Sequence, residues 1–284
     1  MSSNSEIEID RIVLDILREN GVRKLPIDVF SIAKRSGIEV IAKEADSNGV
    51  SGVLILHGNN VVIAYNSAIQ NIGFQRFSVG HELGHFFLPG HMDALLSDGS
   101  IHQSGVLYDD YEKAADSFAA KLLMPKPLLP KRFKTAELRI PLVESLADLC
   151  EVSVEAAALR IASLTSEQVA VARVHEGIVD YCFMSEAFKR LKGLTWIRRG
   201  AKAAIGSHAS RLSVDNEFVR TGGKFTDESC LSVWFSADYE HPIIESVIGL
   251  GEYGKCLVLL HCPEADDQDV IEHEEESRAQ NVNW

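Results

Sequence analysis

Two histidines four residues apart, with a glutamate between them, are the residues of this chain best suited to chemistry. They belong to His81-Glu82-Leu83-Gly84-His85, an HExxH motif flanked by apolar residues that favour a buried helix. Positions four apart lie on one face of a helix, so His81 and His85 can direct their imidazoles at the same ion. Glu82 then faces the open coordination position, where it can take a proton from metal-bound water. The motif therefore indicates a catalytic metal site.

A third protein ligand has to come from elsewhere in the chain, because catalytic zinc usually takes three protein ligands and one water. In HExxH peptidases whose third ligand is a glutamate, that residue lies on a later helix, and Glu112 is the best candidate here. Asp116 follows one turn later and can accept a hydrogen bond from the second ring nitrogen of a ligand histidine. Ala115 and Ala119 offer small side chains where the two helices must approach closely. The sequence thus predicts a metal centre shared by two helices.

The segments around these residues predict an α+β arrangement. Apolar periodicity predicts helices over residues 6–20, 26–36 and 110–123. Short apolar or alternating runs predict strands over residues 38–41, 50–56 and 60–65, the last two joined by a turn. Residues 89–110 are rich in Gly, Ser, Asp and His, which is typical of a loop.

Residues 140–164 predict two short helices, with Ser153 as the N-cap of the second. Their spacing resembles a helix-turn-helix, and the alternative is a helical hairpin packed on the core. From residue 167 onwards, strands are predicted over residues 169–174, 178–184, 231–235 and 256–260, and a helix over residues 213–219. We therefore expect a smaller α+β domain over residues 167–263. Residues 264–284 are acidic and lack apolar periodicity, so we expect a disordered tail.

Composition limits the class of protein. With 284 residues and 46% apolar content the chain can bury a real core. A net charge of −13 argues against a general nucleic-acid surface, so direct DNA binding is not expected, although a local basic strip spans residues 189–202. Five scattered cysteines without a CxxC pair, an acidic N-terminus and the lack of a long apolar stretch predict a soluble cytoplasmic protein that binds no membrane.

Paired motifs make the chain resemble a known family, the ImmA/IrrE metallopeptidases. The resemblance spans residues ~5–165 and rests on residues 77–85 and 112–125, with further matches at 26–28, 37–40 and 51–53. It implies a mainly helical, zincin-like metallopeptidase core with a small antiparallel sheet over residues 1–166. Two departures are mild: Val79-Gly80 replaces the more usual Leu/Ile-Ala, and the 89–110 loop is long.

The resemblance implies His81, His85 and Glu112 as metal ligands, Glu82 as catalytic base and zinc as the cofactor, although manganese or another divalent ion could occupy such a site. It further implies a narrow peptidase that cleaves a helix-turn-helix transcriptional repressor and so relieves repression of stress or mobile-element genes. The C-terminal domain would then be a sensor or docking module, with its signal unknown. Side chains that could stabilise the oxyanion are Tyr65, Tyr108, His91 and His102.

A second hypothesis remains open at this point. The chain could be a non-proteolytic, metal-containing regulator that binds a repressor or DNA through residues 140–202, or a toxin–antitoxin component. Glu82 argues against a pure scaffold, since a scaffold needs no base beside the metal.

Overall fold

The computed structural model describes residues 3–44, 51–58, 60–98, 101–103, 109–237 and 240–263. Its α-helices are α1 (Ser3–Glu19), α2 (Val29–Arg35), α3 (Ile72–Phe87), α4 (His91–Asp98), α5 (Asp109–Leu123), α6 (Arg132–Thr135), α7 (Ile140–Cys150), α8 (Val154–Leu164), α9 (His208–Leu212), α10 (Asn216–Arg220) and α11 (Leu231–Phe235). Its strands are β1 (Ile38–Lys43), β2 (Gly52–His57), β3 (Asn60–Asn66), β4 (Ile101–Gln103), β5 (Gln168–His175), β6 (Ile178–Met184), β7 (Lys224–Cys230), β8 (Pro242–Gly249) and β9 (Lys255–Cys262). The predicted tail, residues 264–284, lies outside the described residues.

These elements divide into two compact units, one within Met1–Leu129 and Ser145–Ala156, the other within Pro130–Glu144 and Ala157–Trp284. The architecture confirms the predicted α+β class, with a helical core beside a small sheet and a second α+β part. The domain limits at residues 1–166 and 167–263 remain a prediction. Within the described residues, no helix combines the length and apolar character needed to cross a bilayer.

The sheet of the first unit is mixed, which corrects the prediction of a small antiparallel sheet. Its strand order is β1-β3-β2-β4. Strands β2 and β3 form the expected hairpin, with Leu54 opposite Ile63. Strand β1, however, runs parallel to β3, with Val40 opposite Ile63. The fully buried side chains of Leu54 and Ile63 contribute to the core of this unit.

The segment predicted as a loop, residues 89–110, contains two regular elements. Helix α4 begins at His91, directly after Gly90, whose φ of +79° lies in the left-handed region that glycine tolerates. Strand β4 follows and pairs with β2, so that Leu54 faces His102 in the register. The segment 89–110, whose composition predicted a loop, therefore adds an edge strand to the sheet and a helix beside α3.

The second unit is built on a five-stranded antiparallel sheet with the order β6-β5-β9-β8-β7. The rings of Phe188 and Phe235 pack 4.9 Å apart within its core. Residues 231–235, predicted as a strand, form helix α11 instead. The helix predicted over residues 213–219 is replaced by the short helices α9 and α10.

Candidate metal centre

Helix α3 carries the HExxH motif, and its residues 78–85 are all buried. Asn71 caps its N-terminus, where the Asn71 side chain accepts a hydrogen bond from the backbone N–H of Phe74. His81 is 6% exposed, while Glu82 and His85 are fully buried. Uncompensated polar groups are costly in such surroundings. The three side chains must therefore find partners inside the protein.

Helix α5 approaches α3 closely, and Gly84 on α3 allows this. A Cβ placed on Gly84 would lie 3.0 Å from Cα of Ala115, and one placed on Gly80 would lie 3.4 Å from Cβ of Ala119. The structure thus confirms the prediction that Ala115 and Ala119 mark a close helix approach. The consequence for the site is that Glu112, one turn before Ala115, reaches the histidines of α3.

The ligand atoms of His81, His85 and Glu112 form a small triangle. The two Nε2 atoms are 3.1 Å apart. Oxygens of Glu112 lie 3.4 Å from Nε2 of His81 and 3.5 Å from Nε2 of His85. Two ligands of a tetrahedral ion with bonds of about 2.0–2.1 Å are separated by about 3.3 Å. The three residues therefore fit a divalent cation that is bound by two imidazoles and one carboxylate. Each residue offers one ligand atom.

Asp116 forms a hydrogen bond with Nδ1 of His81, the ring nitrogen that does not face Glu112. Its Oδ1 lies 2.8 Å from Nδ1 of His81. Burial alone would lower the pKa of His81, but the hydrogen bonds to Asp116 and Glu112 and the charge of Glu82 raise that pKa to about 10. The carboxylates thus stabilise a positive charge at the point where the two Nε2 atoms converge, as a cation site requires.

The side chain of Glu82 extends from α3 towards the beginning of β2. Its charge acts on the His81 ring, and a Cβ placed on Gly52 would lie only 2.9 Å from its Oε1. A methyl group at this position would force the Glu82 carboxylate to shift. Gly52 is therefore part of the site, a role that the sequence reasoning did not assign to it, although Gly52 belongs to a segment that matches the family.

Of the proposed oxyanion donors, His91 contacts one of the candidate ligands. Its Nδ1 lies 3.1 Å from Nδ1 of His85, on the ring edge opposite to Glu112. Tyr65 packs edge-to-face on Phe30 instead, with ring centroids 5.6 Å apart. His102 lies on β4, and Tyr108 lies outside the described residues.

Comparison with known proteins agrees with this geometry. An α+β unit with an HExxH helix and a glutamate from a second helix defines a metallopeptidase-like centre. Residues 33–162 match the model of the IrrE N-terminal-like domain, the M78 peptidase family. This match confirms the ImmA/IrrE resemblance over that part of the chain.

Solved structures and curated protein sequences were also compared with the chain. A solved structure of a Mycobacterium tuberculosis transcriptional regulator is similar to this chain, with a TM-score of 0.55 and 14% identity over 92% of this chain and 77% of that one. At this identity the similarity concerns the fold. No curated protein sequence matches.

Proposed function

We propose that the chain is a zinc-dependent endopeptidase that cleaves one specific cytoplasmic protein. The family match supports a metallopeptidase. The observation that carries the proposal is the triangle formed by His81, His85 and Glu112, with Glu82 buried beside it. A site that only stabilised the fold would need ligands but no additional carboxylate next to the open coordination position.

The residues of the site would have different roles in peptide hydrolysis. A bound zinc ion would supply a Lewis acid that polarises the carbonyl and acidifies a water. His81, His85 and Glu112 would hold it, and Asp116 would fix the tautomer of His81. Glu82 would accept the proton of the attacking water and pass it to the leaving amine. Gly52 leaves space for the Glu82 carboxylate on the side of β2.

We propose a helix-turn-helix transcriptional repressor as the substrate, so that cleavage relieves repression. Two observations support this choice: the IrrE-like family of residues 33–162, and a structural neighbour that is a transcriptional regulator. The net charge of −13 disfavours direct binding to DNA. A protein partner is therefore the better candidate for regulation by this chain.

The test compares cells that express the wild-type chain with cells that express Glu82→Gln. Newly formed protein N-termini are identified by mass spectrometry. We expect at least one N-terminus within a helix-turn-helix protein that is present with the wild type and absent with the variant. Purified repressor and enzyme should reproduce this cleavage, and a chelator should stop it.

The matched control is Glu19→Gln, which makes the same change at an exposed position at the end of α1. This variant should cleave like the wild type. Both variants should retain zinc, since neither removes a ligand. If the repressor is still inactivated in cells with Glu82→Gln, the chain is instead a non-proteolytic regulator and the proposal is wrong.

A further inference from the structure

The two candidate ligand histidines are held by different kinds of partner. Asp116 on α5 holds Nδ1 of His81 at 2.8 Å. His91, the first residue of α4, holds Nδ1 of His85 at 3.1 Å. One partner is a carboxylate and the other is an imidazole. His91 is only 4% exposed, so this contact is shielded from competition by water.

The position of His91 is fixed from two sides. Its ring meets the edge of Tyr111 at a centroid distance of 4.7 Å and an interplanar angle of 88°. On the other side it lies 5.1 Å from the His85 ring. Gly90, with a φ of +79°, precedes His91, and His91 lies within hydrogen-bonding distance of His85 in the last turn of α3. The contacts with Tyr111 and His85 therefore restrict the orientation of the His91 ring.

If Nε2 of His85 is a metal ligand, the geometry determines which nitrogen of His85 carries the proton. Nε2 of His85 faces Nε2 of His81 and the Glu112 carboxylate, so it must be unprotonated to act as a ligand. The neutral ring then carries its proton on Nδ1 and donates it to Nδ1 of His91. His91 can accept only if it is itself neutral, with its own proton on Nε2.

We propose that His91 is a positioning residue for the metal centre, the hydrogen-bond acceptor that fixes the tautomer and ring orientation of His85. This inference rests on the proposed metal site. His91 acts through His85 and does not contact the substrate. Partners of this kind commonly contribute about 10–100-fold to metal affinity.

Two substitutions separate an acceptor from a packing role. Asn places its Oδ1 near the position of the histidine Nδ1, so His91→Asn keeps an acceptor but loses the ring. His91→Phe keeps a ring against Tyr111 but removes the acceptor. We expect His91→Asn to bind zinc within about threefold of the wild type, and His91→Phe to bind about 10–100-fold more weakly. The measurement is competition with a chromophoric zinc chelator.

Matched controls are His175→Asn and His175→Phe, which make the same changes at an exposed histidine of β5. Neither should alter zinc affinity. A second readout is the ¹⁵N spectrum of the zinc-loaded wild type, in which His85 should be protonated at Nδ1. This spectrum also tests the proposal if His91→Phe does not fold.

The outcomes distinguish this inference from the function on which it rests. If His91→Phe binds zinc as the wild type does, and His91→Asn binds more weakly, then His91 only packs and the inference is overturned. The same holds if His85 carries its proton on Nε2 in the zinc-loaded protein. If the wild type itself binds no zinc, the proposed function fails first.

Discussion

The close approach of α3 and α5 leads to a prediction in which two glycines one turn apart behave differently. Replacing either Gly80 or Gly84 by Ala should favour the helix by about 1 kcal/mol, because alanine has the higher helix propensity. At Gly80 the new methyl would meet Cβ of Ala119 at 3.4 Å, which is ordinary contact. Gly80→Ala is therefore expected to be neutral or slightly stabilising.

At Gly84 the same methyl would meet Cα, the carbonyl oxygen and Cβ of Ala115 at 3.0, 3.2 and 3.3 Å. Two of these three atoms belong to the backbone and cannot move aside like the end of a side chain. Overpacking of this kind costs about 1–3 kcal/mol. We expect the free energy of unfolding of Gly84→Ala to lie about 1–3 kcal/mol below that of Gly80→Ala, the matched control.

Urea denaturation of both chelator-treated variants measures this difference. Because Ala115 is on the same helix as Glu112, relief of the clash should also move that ligand, and sites of this kind tolerate only about 0.5 Å of displacement. Zinc affinity should therefore fall in Gly84→Ala and be retained in Gly80→Ala. Equal stability and equal zinc affinity of the two variants would refute the close approach of the helices as the structure has it.

Three further predictions concern the residues around the ligands. Asp116→Asn should weaken zinc binding by about 10–100-fold in a chelator competition, and unchanged affinity would show that the contact with His81 has no role. Gly52→Ala should lower kcat for the cleaved repressor while zinc affinity is retained, since the methyl would press on Glu82; an unchanged kcat contradicts this. In chelator-treated protein, the pKa of His81 is raised from 6.5 to about 10. Protonation of His81 therefore stabilises the folded state fully below pH 6.5, and this stabilisation is lost as the pH rises through 10. The stability difference between wild type and His81→Gln should therefore shrink over that range in urea titrations, and a constant difference would contradict it.

Local signals in the sequence were sufficient for the elements that carry the candidate site. The HExxH spacing predicted α3, and the small residues Ala115 and Ala119 predicted where α5 approaches it. Ser153 caps α8 as predicted, where its Oγ accepts a hydrogen bond from the backbone N–H of Ala156. Each of these signals is contained within about one helical turn of chain. Prediction from sequence is reliable where the physical cause is equally local.

Pairing and burial between distant segments could not be predicted in this way. The parallel pairing of β1 with β3 is decided by contacts between residues more than twenty positions apart along the chain. Residues Leu231, Trp234 and Phe235 are buried at helical spacing, yet their apolar and aromatic run also fits a short strand. The interior of β8 contains a fully buried Glu245, which accepts hydrogen bonds from the indole N–H of Trp234 and the backbone N–H of Ala209. Without knowledge of those two donors, an acidic residue argues against a core strand.

The same reasoning explains why the sequence indicated the candidate ligands but not the contact between His91 and His85. His81 and its partner Asp116 lie on the two helices that the motifs identify. His85 is held instead by His91, which lies in a segment whose composition indicates a loop. The spacing of six residues between His85 and His91 does not by itself predict a contact, because the contact depends on the conformation of the chain at Gly90. Through His91, the long 89–110 segment therefore contacts one of the candidate metal ligands, and we expect substitutions at His91 to affect His85 more directly than His81.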